Sequence, residues 1–190
     1  MSRVWDYLML FKLRVSVLVL VTTWLGYYLG SSGALDQQLL VHTLIGMAMV
    51  AASGCALNQL LERHTDAKMH RTANRPLPAG RLQPAEVQWL GLVLGAAGVI
   101  YLALSISVQC SLIAAFTLVS YVFVYTPMKH KTPLAVFIGA VPGALPPVIG
   151  WVAARGELDL GGWMLFGILF LWQLPHFYAI AWIYRREYGR

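Results

Sequence analysis

The most informative stretch of the sequence is NQLLERHTDAKMHRTANRPLPAGRL, which begins at Asn58 and ends at Leu82. Asn58, Glu62 and Asp66 stand four residues apart in it. On an α-helix, at about 100° per residue, this spacing keeps three side chains within roughly 80° of one face over a rise of about 12 Å. Two carboxylates and an amide oxygen on one face are hard ligands. They suit Mg²⁺, which keeps several waters and is commonly shared with substrate phosphates. Lys68, Arg71 and Arg75 come next, and Pro76, Pro78 and Gly80 then end the helix. Acids that can hold a divalent metal, beside cations that can clamp phosphate oxygens, make a diphosphate site. A solvated loop that marks membrane topology would explain the cations. It gives no reason for acids in register at the end of a helix.

A second group lies near the C-terminal end, where Gln173 and His176 sit deep in an apolar run. An ionisable residue within a membrane segment is a functional-site candidate by default. The competing reading is a histidine that only hydrogen-bonds a neighbouring helix.

These residues must be positioned by elements of an unusual chain. Of its 190 residues 58% are hydrophobic and 12% charged, and the mean hydropathy is +0.64. Soluble domains carry about 25% charged residues. The composition excludes a disordered chain, a nucleic-acid-binding tail and a soluble globular domain. It predicts an all-α, polytopic transmembrane bundle. Six apolar stretches can cross a bilayer: 15–30, 39–57, 87–105, 108–125, 134–154 and 161–184. Each should be a helix, because an isolated span must satisfy its own backbone hydrogen bonds in lipid. The third and fourth are almost contiguous and predict a tight hairpin near Ile106.

Numbering the segments between spans alternately sorts the charges. One side receives Arg3, Lys12, Arg14, Arg63, Lys68, Arg71, Arg75, Arg81, Lys129, Lys131, Arg185, Arg186 and Arg190, and the other receives only Arg155. The formal charge of +6 therefore reports topology, and no nucleic-acid partner is implied. The positive-inside rule predicts cytoplasmic termini and basic loops, so the acid face also lies on the cytoplasmic side. Trp5, Trp24, Trp89, Trp151, Trp163, Tyr27, Tyr28 and Tyr184 fall near span ends, as interfacial aromatics should. Cys55 and Cys110 form no CxxC pair and read as small buried apolar residues. No cleavable signal peptide or Arg/Ser-rich presequence stands at the start, which favours a bacterial inner membrane over an organelle. Pro142, Pro146 and Pro147 lie inside the fifth span, where proline frees backbone carbonyls and kinks the helix.

The residues from Asn58 onward resemble the UbiA superfamily of intramembrane prenyltransferases, whose members carry N-x-x-x-D-x-x-x-D at this place. Within it they resemble the heme O synthase (protoheme IX farnesyltransferase) branch, which continues M-x-R-T-x-x-R-P-L. Met69, Arg71, Thr72, Arg75, Pro76 and Leu77 match that run. Glu62 replaces the commoner Asp and keeps its charge. The stretch from Tyr125 to Trp151 resembles the branch pattern Y-T-x-x-K-R-x-T-P-L followed by G-A-x-P-G-A-x-P-P. The residues from Trp172 to Phe177 match W-Q-x-P-H-F, the string that best sets this branch apart. Glu187 and Tyr188 resemble the start of its second acidic motif, D-Y-x-x-A-G. Leu13 stands in place of a usual Pro, and Ala135 in place of a usual Asn. The resemblance covers the whole chain, but the chain covers about two-thirds of a family fold of some nine helices. A single prenyltransferase domain over residues 1–190, cut short at its C-terminal end, is therefore expected.

The resemblance implies transfer of a farnesyl group from farnesyl diphosphate to a vinyl group of heme B, giving heme O for terminal oxidase assembly. Heme B would be a substrate and Mg²⁺ the cofactor. It implies Asn58, Glu62, Asp66 and Glu187 as metal ligands, and Lys68, Arg71, Arg75, Lys129 and Tyr125 around the diphosphate. It gives Trp172, Gln173 and His176 the heme, and Asp66, Lys129 and His176 the chemistry. His176 would orient the porphyrin, ligate its iron or move a proton at the vinyl group. Tyr125 also reads as an interfacial aromatic, and Lys129 and Lys131 as topology markers. The implied partners are the lipid bilayer and terminal oxidase assembly or heme A synthase proteins. Two other readings compete. One is a sister UbiA-type prenyltransferase acting on another aromatic or chlorin acceptor. The other is an anion transporter, whose site would lie near the midplane at broken helices rather than at one membrane face.

Overall fold

The structure, a computed structural model, describes residues 3–129, 132 and 134–183. Nine α-helices and one π-helical segment make up the described chain, and no strand occurs among the described residues. In chain order they are α1 (Arg3–Leu10), α2 (Leu13–Gly30), α3 (Gln37–Asp66), α4 (Pro84–Ser105) and α5 (Val108–Val119). A π-helical segment (Ser120–Tyr125) leads into the short α6 (Thr126–Met128), and then come α7 (Ala135–Ala144), α8 (Pro146–Arg155) and α9 (Leu160–Ile183). Six stretches are long and apolar enough to cross a membrane, namely α2, α3, α4, Val108–Met128, Ala135–Arg155 and Leu160–Ala179. The chain is therefore a multi-pass membrane protein, as the composition predicts.

Local chemistry sets the helix ends. The Asp36 carboxylate accepts the Leu39 N–H at 3.0 Å and caps α3. Ser107 caps α5 through the Cys110 N–H at 3.2 Å, which fixes the hairpin expected at Ile106. Pro84 occupies the first turn of α4, where a missing N–H does no harm. Leu13 opens α2, a position that proline also favours, so its departure from the family string leaves the helix intact. The fifth span breaks at Leu145, and Pro146 starts α8.

Helix packing relies on close backbone approach. A Cβ on Gly26 would strike the Pro147 carbonyl, and one on Gly150 would strike the Thr23 carbonyl. Helices α2 and α8 therefore meet backbone to backbone, as small residues permit in membranes. One core cluster gathers Tyr27, Met47, Val50, Leu102, Ile149 and Val152. A second joins Leu10, Leu57, Leu60, Leu77, Leu82 and Val122. Cys55 and Cys110 are free and buried.

The ends of the bundle differ. At one, the α1–α2 turn, the loop after α3 and the segment after α6 are tied together by ion pairs and hydrogen bonds involving Asp6–Arg81, Lys12–Asn58 and Lys129–Glu62. At the other, Arg155 joins the Ser32 hydroxyl and the Asp159 carboxylate. The described basic residues divide between these ends as the sequence predicts. Helix α1 is an addition to the six expected spans. Its Asp6, 3% exposed, accepts the Arg81 Nε–H at 2.7 Å, and its Tyr7 hydroxyl donates to Glu86. These contacts clamp α1 onto the loop that leaves α3.

Candidate functional site

Helix α3 runs nine residues past the expected end of the second span at 57 but stops at Asp66, well before the Pro76 expected to end it, and Asn58, Glu62 and Asp66 occupy its last turns. Their exposures are 1%, 5% and 4%, so the acid face points into the protein and away from lipid. Each of the three meets a cation from a different segment. The Asp66 carboxylate accepts Arg75 Nη1–H at 2.6 Å. Glu62 pairs with the Lys129 ammonium. The Asn58 Oδ1 accepts a hydrogen bond from Lys12 Nζ at 2.6 Å, and its Nδ2 donates to the Thr126 hydroxyl at 3.1 Å.

The loop after α3 turns Arg75 back toward the helix end. The Thr72 hydroxyl donates to the Asp66 carbonyl at 2.9 Å, and the Arg75 N–H donates to the Thr72 carbonyl at 3.0 Å. Leu77 and Leu82 anchor the loop in the second core. Lys68 and Arg71 lie on its exposed side, while the Arg75 side chain is 24% exposed. Lys68 and Arg71 are thus exposed, and Arg75 reaches Asp66.

The π-helical segment supplies the opposite wall. Such a wide turn inserts an extra residue and re-aims the next turn of the helix. The Thr126 hydroxyl donates to the Tyr121 carbonyl at 2.8 Å inside this turn while accepting from Asn58. Tyr121 and Tyr125 stack with ring centroids 5.8 Å apart, and Tyr125 lies 6.4 Å from Phe177. Gly139 leaves room for the Tyr125 ring, which a Cβ there would strike. A cavity of about 250 Å³ opens beside Glu62, lined by Thr65, Val122, Phe123 and Thr126 among others.

The C-terminal group is divided by its helix. Gln173, 8% exposed, turns toward α7, where its Nε2 donates to the Ala140 carbonyl at 3.5 Å. Trp172 and His176 instead stack on the exposed side of α9, with centroids 5.0 Å apart and planes at 15°. Phe177, next to them, connects α9 to the Tyr125 wall. Glu187 lies outside the described residues, as do Lys131, Tyr184, Arg185, Arg186, Tyr188 and Arg190.

Among the described residues, no three His, Cys, Asp or Glu side chains gather as a metal group. The acid face supplies two carboxylates and an amide oxygen, so an ion there needs oxygens from its ligand to complete its shell. This is the way Mg²⁺ is normally held. The sequence assigns Lys12 only to topology. The turn between α1 and α2 brings it to the site. Burial lowers the Lys12 ammonium from its ordinary pKa. Arg75 and Lys129 push the same way, against Cys55 and Glu62.

Several known proteins resemble this chain. A protoheme IX farnesyltransferase from Solibacter usitatus is 47% identical over 97% of the chain, and the chain spans 66% of that relative's length. A solved digeranylgeranylglyceryl phosphate synthase superposes with a TM-score of 0.81 at 20% identity, covering 92% of this chain and 61% of its own. A UbiA homologue from Archaeoglobus fulgidus, solved with GPP and Mg²⁺ bound, superposes with a TM-score of 0.73 at 17% identity. That match covers 97% of this chain and 66% of the homologue. The likeness to these two structures is one of fold. Residues 19–190 match the UbiA prenyltransferase family, and with the acid face and membrane bundle described above, the chain belongs to that family.

Proposed function

We propose that this chain forms the diphosphate-binding part of a protoheme IX farnesyltransferase. The enzyme transfers the farnesyl group of farnesyl diphosphate to a vinyl group of heme B and gives heme O for terminal oxidase assembly. The observation that carries the reading is the inward acid face of α3, with a separate cation at each of its three residues. A highly charged ligand that brings its own metal fits such a site.

The reaction balances in atoms and charge. The C1–O bond of farnesyl diphosphate breaks, and diphosphate leaves with the electron pair. A carbon–carbon bond forms to the vinyl group, water adds at the carbon left positive, and a proton is released. Mg²⁺, when bound, neutralises the leaving group as a Lewis acid. Asn58, Glu62 and Asp66 would hold it in this chain, joined by Glu187. Successive members of the face differ by about 6 Å in rise, so neighbours share an ion or a phosphate more readily than the two ends do. Arg75 and Lys129 hold the charge that builds on the diphosphate, and Lys68 and Arg71 guide it in from the rim. Asp66 orients Arg75 and would hold the metal. The faces of Tyr121, Tyr125 and Phe177 stabilise the allylic cation. The C15 tail gains on the order of 10 kcal/mol from burial, at about 0.8 kcal/mol per methylene, so the chemistry belongs at a membrane surface. Trp172, Gln173 and His176 serve the heme. The stacked pair of Trp172 and His176 offers a flat face to a porphyrin, while Gln173 fixes α9 against α7.

On this reading the site faces the cytoplasm from a bacterial inner membrane. Heme B is the substrate, and oxidase assembly or heme A synthase proteins are the partners. The test uses membranes of cells expressing the protein, supplied with labelled farnesyl diphosphate and either heme B or 4-hydroxybenzoate. Label should appear in heme O, identified by mass. Label entering the aromatic acid alone would assign the chain to a sister enzyme with another acceptor.

A further inference from the structure

We infer that Lys12 is a further cation of the diphosphate site and that Gln59 is the residue that positions it. The inference rests on the prenyl diphosphate reading given above.

Lys12 has φ 47° and ψ 56°, and it is the one non-glycine residue with positive φ among the described residues. A residue with a Cβ rarely adopts left-handed backbone, and lysine has no short polar side chain to favour it locally. Something outside the turn must hold it. Gln59, 0% exposed, donates from Nε2 to the Met9 carbonyl at 3.1 Å and to the Leu10 carbonyl at 2.7 Å. The Ser16 hydroxyl donates to the Phe11 carbonyl at 2.7 Å. Three consecutive carbonyls at the end of α1 are thus capped by side chains from α2 and α3. The Gln59 Oε1 is buried without a hydrogen-bond partner among the described residues. An apolar side chain would avoid that desolvation, so the two carbonyl bonds are what the amide contributes here.

The result of the turn is the placement of an ammonium. Gln59 fixes the backbone just before Phe11, and its neighbour Asn58 receives the Lys12 Nζ. The Thr126 hydroxyl holds the same Asn58 amide from the other side. Among the described residues Lys12 makes its hydrogen bond to an amide oxygen and not to a carboxylate. Glu62 is paired with Lys129, and Asp66 with Arg75. Among the described residues, Lys12, Arg75 and Lys129 meet this face against the two carboxylates of Glu62 and Asp66, and Lys12 stands at its Asn58 end. An anion carrying several charges fits that imbalance, and a phosphate oxygen is a stronger acceptor for an ammonium than an amide oxygen. Glu62 and Asp66 give the site its carboxylates, and Lys12 reaches the diphosphate from the Asn58 end.

The test measures binding of inorganic pyrophosphate with Mg²⁺ to the detergent-purified protein by calorimetry, together with KM and kcat for farnesyl diphosphate. Lys12→Gly retains the left-handed turn at no steric cost and removes the side chain with its ammonium. Its pyrophosphate affinity should fall about tenfold or more, as loss of a charge-assisted bond implies, with its melting temperature kept or raised. Lys12→Arg should recover most of the affinity. Gln59→Leu should raise KM with little change in kcat, and combining it with Lys12→Gly should add nothing further, because both act through one ammonium. Parent-like affinity in Lys12→Gly, full additivity in the double variant, or a loss confined to the KM of the acceptor would overturn the inference. If Asp66→Asn loses pyrophosphate while Lys12→Gly binds it normally, the diphosphate reading stands and the inference fails. If the parent binds no pyrophosphate, both fail.

Discussion

Asp66 and Arg75 carry the sharpest energetic consequence of any pair in the site. The carboxylate is 6% exposed and the guanidinium 24%. Removing one partner of a buried pair leaves an uncompensated charge, so Arg75→Ala should cost about 2 kcal/mol of stability. That lies below the range for fully buried pairs because the guanidinium reaches solvent. Asp66→Asn combined with Arg75→Ala should recover part of the loss, and thermal unfolding in detergent checks both. At this scale the sequence was legible where one helix carried the signal. Asn58, Glu62 and Asp66 share a face by arithmetic alone, and they are buried together as that arithmetic requires. Lys12 was not legible. It lies 46 residues from Asn58 in the chain, and only the packing of α1 against α3 joins them.

Between elements, packing by backbone contact decides more than side-chain volume. Gly150→Ala would push a Cβ into the Thr23 carbonyl and the Tyr27 amide, neither of which can swing aside. It should destabilise the protein by about 1–3 kcal/mol, as overpacking does. Gly167, inside α9, has nothing within 4 Å of an added Cβ. Gly167→Ala should therefore stabilise its helix by up to about 1 kcal/mol. Melting temperatures of the two variants should move in opposite directions. The spans and the broken fifth helix could be read from hydropathy and from Pro146. The π-helical turn could not, since its cause is a tertiary one: it lets Thr126 reach Asn58 and Tyr125 reach Phe177. Helix α1 escaped for a related reason. It is eight residues long, too short to count as a span, and is held by Asp6, Tyr7 and the Gln59 amide.

Across the whole molecule, charge and chemistry gather at one end of the bundle, while Arg155 and Asp159 tie the other. The chain spans 66% of the length of its Solibacter usitatus relative, and α9 exposes the Trp172–His176 stack. Resemblance could assign those two residues to the acceptor; the bundle described here does not itself enclose them. What the bundle does enclose is the acid face with its cations, and the most direct measurement addresses that assembly. Equilibrium binding of farnesyl diphosphate to the purified protein should be measured with Mg²⁺, after chelation, and in Asp66→Asn. Affinity is expected to fall about tenfold or more on chelation and by at least as much in the variant, because two charges that hold the same ligand are lost in turn. Equal affinity under all three conditions would contradict a metal-bridged diphosphate at the end of α3.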